Sequence, residues 1–162
     1  MYGKKEIREL LEEKQIAYEW QDHPALFTMQ DIAVYGIAHA GDIAKNVFAS
    51  DDKRRTYFLI SVKGDERVNL KAIGQEWGYN HLRFASAEEM QKMLGLAPGS
   101  VSPLGLLNDE DHKIKFYIDR RYEGKNIVVH PNENTACVFL KTDDLLSLIK
   151  EGGNEIYYFS QE

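Results

Sequence analysis

The sequence predicts a single α/β domain whose sheet is mixed, largely antiparallel and partly barrel-like, with helices on its flanks. Two observations carry that expectation. The 162 residues are enough for one domain with a hydrophobic core of its own. Helix-period and strand-period segments interleave, yet several strand-like runs follow one another directly, which favours antiparallel pairing within a mixed sheet. No internal repeat, low-complexity tract or linker divides residues 1–162, so the chain is read as one domain.

Taken in order, residues 3–15 form a helix with Ile7, Leu10 and Leu11 on one apolar stripe. AYEWQDH reads as a strand. Thr28-Met29-Gln30-Asp31 resembles a capping box, with Asp in place of the usual Glu or Gln, and opens a short helix to about Tyr35. The apolar run from Ile43 to Phe48 and TYFLISV (56–62) are two strands joined by the polar turn SDDKRR, a hairpin pattern. NLKAIGQEWG is a helix ending at Gly78, HLRFAS a short strand, and SAEEMQKML a helix capped by Ser86 with Glu89. GLAPGSVSPLG, dense in Gly, Pro and Ser, is a loop. KIKFYID and NIVVH are strands, expected to pair as a hairpin through Arg121 to Lys125. TACVFL is a further strand, Thr142 is expected to cap the helix DDLLSLIKEG, and EIYYFS is the last strand.

Composition narrows the function classes. Hydrophobic residues at 43% and charged ones at 28% are ordinary for a soluble globular protein. No apolar run approaches the roughly 20 residues needed to cross a bilayer, and the charged, helical start MYGKKEIREL does not read as a signal peptide. With a single cysteine, Cys137, there is no disulfide framework, and the expected compartment is cytoplasmic. The formal net charge of −6 argues against coating long duplexes, because such binding neutralises many phosphates. A small, local nucleic-acid contact is compatible with it, through Lys4, Lys5 and Arg8, through Lys53, Arg54 and Arg55, or through Arg120 and Arg121.

Several chemistries lack their motifs. The five histidines (His23, His39, His81, His112 and His130) show no HExxH and no close pairing with Cys, so no metal site is expected. There is no GxxxxGK[ST] loop and no GxGxxG after a strand. Gly99-Ser100-Val101-Ser102-Pro103 is not a hydrolase elbow, since Pro replaces the last Gly and the Ser is displaced.

Three features remain. Lys45 places an ammonium in an apolar strand, next to Asn46. It either snorkels to water over apolar surface or holds an anionic or carbonyl-bearing ligand. The loop Gly99 to Pro103 combines a residue that permits unusual dihedrals with one that stiffens the exit, so its N–H groups are candidates to hold an oxyanion or carbonyl oxygen. His130 ends a strand before Pro131, a place where side chains often point into a cleft.

AKNVF, GLAPGSVSPLGLLND and VVHPNENTACVFLKTDDLL together resemble the editing domains related to the insertion domain of bacterial prolyl-tRNA synthetase, the YbaK family. The similarity runs from about residue 3 to the end of the chain. Its free-standing pattern looks closest to the alanyl-tRNA(Pro) deacylases, or prolyl-tRNA-synthetase-associated domain proteins. The resemblance implies a YbaK-like fold and hydrolysis of the ester linking a wrong amino acid to tRNA. It places the family lysine on Lys45, the Gly-x-x-x-Pro loop on Gly99 and Pro103, and the strand-end histidine on His130. It further implies no metal and no cofactor, with the 2′-hydroxyl of the terminal adenosine assisting. Asn46, Ser100, Val101 and Ser102 are then expected to contact substrate, with Met29 and Ile32 walling a small amino-acid pocket. The implied partner is the acceptor end of aminoacyl-tRNA(Pro), with prolyl-tRNA synthetase as the candidate protein partner. A synthetase distinguishes substrates differing by a methylene or two by only about 1–3 kcal/mol per methylene, so a second sieve has a purpose. Alanine is the favoured amino acid. Cysteine on the same tRNA and a non-catalytic amino-acid or RNA-end binder of the same fold remain alternatives.

Overall fold

The computed structural model describes residues 1–64 and 67–160, and within them every side chain except that of Met29. The elements run α1 (Lys4–Glu13), β1 (Tyr18–Asp22), α2 (Met29–Val34), β2 (Ala44–Asp51), β3 (Tyr57–Lys63), α3 (Leu70–Glu76), β4 (Leu82–Phe84) and α4 (Ala87–Leu94). A 3₁₀ segment, Pro103–Asn108, leads to β5 (Ile114–Asp119), β6 (Asn126–Val129), β7 (Ala136–Lys141), α5 (Thr142–Gly152) and β8 (Ile156–Phe159). Among the described residues no helix is long and apolar enough to cross a membrane.

Strands are divided between two sheets. One has five strands in the order β4-β2-β3-β5-β8, and the other has three in the order β1-β7-β6. A parallel bridge between Ile43 and Val128 joins them. The larger sheet is mixed: β2 pairs antiparallel with β3 and β4, while β5 lies parallel to both β3 and β8. The smaller sheet is wholly antiparallel.

The period-2 alternation of each strand decides what lies between the sheets. Phe48 from β2, Leu59 from β3, Phe116 and Ile118 from β5, and Val138 and Leu140 from β7 form one core with Ile7 and Leu11 of α1 and Leu145, Leu148 and Ile149 of α5. Burying each such side chain contributes about 1.5–3 kcal/mol. The opposite face of the large sheet carries Val47, Ala49, Phe58, Ile60 and Val62 beneath α3. A smaller cluster, Ile37, Val128 and Cys137 with Ile32 and Phe139 against it, covers the outer face of the small sheet.

Both expected capping boxes are present. Asp31 Oδ2 accepts from the N–H groups of Phe27 and Thr28 at 2.8 and 3.0 Å, while the Asp31 N–H donates to Thr28 Oγ1. Glu89 does the same for α4: the Ser86 N–H donates to its Oε1 at 3.0 Å, and the Glu89 N–H donates to Ser86 Oγ at 3.1 Å. The Arg83 guanidinium adds two hydrogen bonds to the same carboxylate at 3.0 and 2.9 Å.

Three expectations are corrected. The strands divide between two sheets rather than forming one. β5 and β6 do not form a hairpin, because β5 is buried on alternate faces between two parallel neighbours. A 3₁₀ turn at Arg120–Tyr122, anchored by the buried Tyr122, carries the chain across to the other sheet. Thr142 does not cap α5: it is the first helical residue, fully buried, with its hydroxyl unpartnered.

Hydrogen bonds from Arg83, with those of Ser86 and Tyr57, outweigh burial and hold the Glu89 carboxyl well below the usual glutamate range. A depressed folded pKa contributes stability above the unfolded value of about 4.3, and that stability is lost as pH falls through the folded value. Glu89→Gln should therefore cost about 1–2 kcal/mol at pH 7 and flatten the acid limb of stability below about pH 4, measured by urea unfolding across pH.

Candidate active site

The loop after α4 is built by turn chemistry. Ser100 N–H donates to the Ala97 carbonyl at 3.0 Å, closing a four-residue turn with Pro98 second and Gly99 third. Gly99 has φ +88°, so the turn is of the type II class, which places Pro and Gly in that order because the third residue must be left-handed. Two residues on, Ser102 Oγ accepts from the Leu104 N–H at 3.2 Å, and Pro103 starts the 3₁₀ segment, where it needs no donor. Ser102 is fully buried and Ser100 nearly so. Among the described residues the N–H groups of Gly99, Val101 and Ser102 carry no hydrogen bond, whereas that of Ser100 is committed to the turn.

β2 brings Asn46 to this loop. Asn46 Nδ2 donates to the Val101 carbonyl at 3.3 Å, and the buried Ser61 hydroxyl donates to Asn46 Oδ1. The β2–β3 register sets Asn46 directly opposite Ser61, so the amide is held from strand and loop together. His130 arrives at the end of β6. Its Nδ1–H donates to the Ala136 carbonyl at 2.9 Å, which leaves Nε2 as the bare nitrogen of a neutral ring. Burial pushes the His130 pKa below the usual histidine value; the Ala136 carbonyl opposes that shift and His23 adds to it.

These groups surround one cavity of about 360 Å³. Asn46, Gly99, Val101 and His130 supply its polar wall, Ala44, Phe48 and Met90 its apolar wall, and Phe84, 63% exposed, stands at its rim. Four sequence-predicted residues thus converge. Ser100, Ser102 and Pro103 form the buried base of the loop behind them.

Lys45 is placed differently from its expectation. Successive strand residues point to opposite faces, and Asn46 takes the face toward the shared core. Lys45 therefore leaves on the other pleat and is exposed; it does not line the cavity, although Val47 of the same pleat does. The Lys45 Cα still sits between two lining residues, Ala44 and Asn46. Ile32 packs with Ile37, Val128 and Cys137, behind the cavity rather than on it. The Met29 side chain lies outside the described residues.

Three features of the site go beyond the sequence-based expectations. Ser61, a lone hydroxyl in the apolar run FLISV, is the support of Asn46, and its polarity in that run is the signal. Phe84 and Met90 carried no local signal. Nor is the absence of His–Cys pairing true in space: His23 Nε2 is 3.2 Å from Cys137 Sγ, although the two are 114 positions apart. Most of the candidate basic spots are locally engaged. Lys4 pairs with Asp22 at 3.1 Å, Arg120 with Glu123 at 3.6 Å and Arg121 with Asp119 at 2.7 Å, while Arg8 covers the Trp20 ring. Arg54 and Arg55 line a separate groove that also carries Glu88 and Glu89.

The chain is 35% identical over 155 residues to the prolyl-tRNA editing protein ProX of Acetoanaerobium sticklandii, covering 95% of this chain and 94% of that one. It is 31% identical over 159 residues to the prolyl-tRNA synthetase associated domain-containing protein 1 of Mus musculus, covering 93% and 94% respectively. Among solved structures, one provisionally assigned as a trans-editing enzyme for prolyl tRNA synthetase superposes with a TM-score of 0.71 over 98% of this chain and 97% of that chain, at 20% identity, which speaks to the shared fold. The model of the aminoacyl-tRNA editing domain matches residues 23–148, the stretch that holds Asn46, the Gly99 turn and His130, and with that match this chain belongs to the aminoacyl-tRNA editing domain family.

Proposed function

We propose that the chain is a trans-editing deacylase that hydrolyses the ester of mischarged tRNA(Pro), with alanine the preferred amino acid. The observation that supports this reading most is the polar wall of the cavity. Free N–H groups of Gly99 and Val101 stand beside a doubly held Asn46, with no serine or cysteine nucleophile among the residues lining the cavity. Such a wall suits an ester whose carbonyl must be polarised without being attacked by the protein.

In this reading the aminoacyl ester enters over Phe84 and sets its carbonyl oxygen toward the Gly99–Ser102 amides. As water adds, the oxygen gains charge, and preorganised N–H donors stabilise it more than they stabilise the ground state. Asn46 is fixed by Ser61 and the Val101 carbonyl, and its second amide hydrogen gives up a long 3.5 Å bond to the Ala44 carbonyl to reach the terminal ribose. The 2′-hydroxyl of that ribose assists the attack, and the free 3′-hydroxyl leaves. Neutral His130 bounds the amino-acid end by its bulk. Lys45, exposed beside two lining residues, is assigned to the anionic end of the substrate near the cavity mouth. With a net charge of −6, the protein grips only the acceptor end, which suits an enzyme that must sample and release many correctly charged tRNAs.

Gly99→Val should reduce single-turnover deacylation about a hundredfold, because a β-branched residue does not hold φ +88° and the amides move with it. Ser100→Ala and Ser102→Ala should matter less. Lys45→Ala should lower kcat/KM at least about tenfold, roughly 1.4 kcal/mol, in a folded protein. Loss of activity in Ser100→Ala with activity kept in Gly99→Val would replace the amide mechanism by a hydroxyl one.

Substrate choice is tested by hydrolysis of tRNA(Pro) carrying alanine, cysteine, serine or proline. Alanyl-tRNA(Pro) should be cleaved fastest and prolyl-tRNA(Pro) spared. His130→Ala should raise prolyl relative to alanyl cleavage, and Ile32→Ala, one layer behind, should do so less. An unchanged ratio in both variants would place the sieve elsewhere.

A further inference from the structure

Behind the cavity wall the small sheet assembles a set of side chains of which only His130 has a part in the proposed editing. The β1–β7 register sets Asp22 opposite Ala136, and the chain continues so that the His23 N–H donates to the Thr135 carbonyl at 3.0 Å. β6 pairs with the other edge of β7 and ends at His130. Strand pairing therefore places His23 and His130 on either side of Cys137. One ring nitrogen of each histidine and the Cys137 sulfur all lie within 4.8 Å of one another. Sγ is 3.2 Å from His23 Nε2 and 4.0 Å from His130 Nδ1.

We propose that His23, Cys137 and His130 form a binding site for a thiophilic cation of the zinc class, whose occupancy loosens the amino-acid sieve by turning His130 away from the cavity. A tetrahedral zinc bound by one sulfur and two nitrogens spaces its ligand atoms by about 3.5 Å, close to the separations already present. Three protein ligands with an open fourth position is a known zinc arrangement. His23 is already oriented for the task. Its Nδ1–H donates to the Pro24 carbonyl at 2.8 Å, so the bare Nε2 faces the sulfur, just as metal-bound histidines are commonly held by a hydrogen bond from their other ring nitrogen.

The bonds that change can be counted. The metal displaces the thiol proton, which leaves to solvent, and bonds to the thiolate and to His23 Nε2. His130 gives up the hydrogen bond from Nδ1 to Ala136 and ligates through Nδ1, its proton moving to Nε2, so the ring stays neutral. The Cys137 thiol is buried, so only a metal that binds thiolate strongly is expected to compete with its proton. Closing the 4.0 Å gap rotates a ring that lines the cavity, and the effect on editing rests on the pocket role given to His130 above.

Cobalt(II) titration of the full chain tests the site directly. One equivalent should produce a thiolate-to-metal charge-transfer band that zinc abolishes by displacement. The chain has a single cysteine, so the band can come only from Cys137 and must vanish in Cys137→Ser. His23→Ala should weaken cobalt affinity at least tenfold while the circular dichroism spectrum stays native. In the deacylation assay zinc should raise prolyl relative to alanyl cleavage in the wild type and leave that ratio unchanged in Cys137→Ser. Absence of the band in folded wild type, or undiminished affinity in His23→Ala, overturns the site. A zinc effect on that ratio that persists in Cys137→Ser, or no effect in the wild type, overturns the switch. Failure of the metal-free protein to cleave alanyl-tRNA would instead fault the functional reading and leave the binding result standing.

Discussion

The hydrogen bond between Asn46 and Ser61 is the constraint on which the site depends. It exists because β2 and β3 pair in one register, and a slip by one residue would turn Asn46 out and bring Lys45 in. Apolar neighbours specify that register: Phe48 and Leu59 belong to the core between the sheets, while Val47, Ile60 and Val62 belong to the face beneath α3. The same amide ties the strand to the Val101 carbonyl, so the turn that presents free N–H groups is held to the rigid sheet. A wall made of backbone amides needs such support, since an amide cannot be aimed by a rotamer.

Much of this was legible in the sequence, for local reasons. Capping boxes at Thr28 and Ser86 are short-range patterns, and the turn at Pro98-Gly99 requires only its own dihedrals. The hairpin of β2 and β3 follows from a polar turn between two apolar runs. What could not be read depends on partners distant in the chain. β5 looked like half of a hairpin because its neighbours in space, β3 and β8, are not its neighbours in sequence. Thr142 looked like a cap, yet the chain enters α5 one residue earlier and buries it.

The strand at residues 44–48 shows the limit most clearly. Its alternation is plain, but the strand is largely buried on both faces, so no pattern within it says which face holds the site. Lys45 drew attention as the conspicuous charge in an apolar run, while Asn46 was read as its companion. The structure gives the inward place to Asn46 and the solvent to Lys45. The cluster of His23, Cys137 and His130 was hidden for a related reason: its members meet only through two strand pairings.

In the proposed function the protein positions and polarises the ester while the substrate supplies the assisting hydroxyl. Single-turnover cleavage of alanyl-tRNA(Pro) ending in 2′-deoxyadenosine, compared with the normal terminus, measures this most directly. The deoxy substrate should still bind but be cleaved at least a hundredfold more slowly, about 2.7 kcal/mol of lost transition-state stabilisation. Cleavage of both at the same rate would contradict the proposal and assign the activating group to the protein.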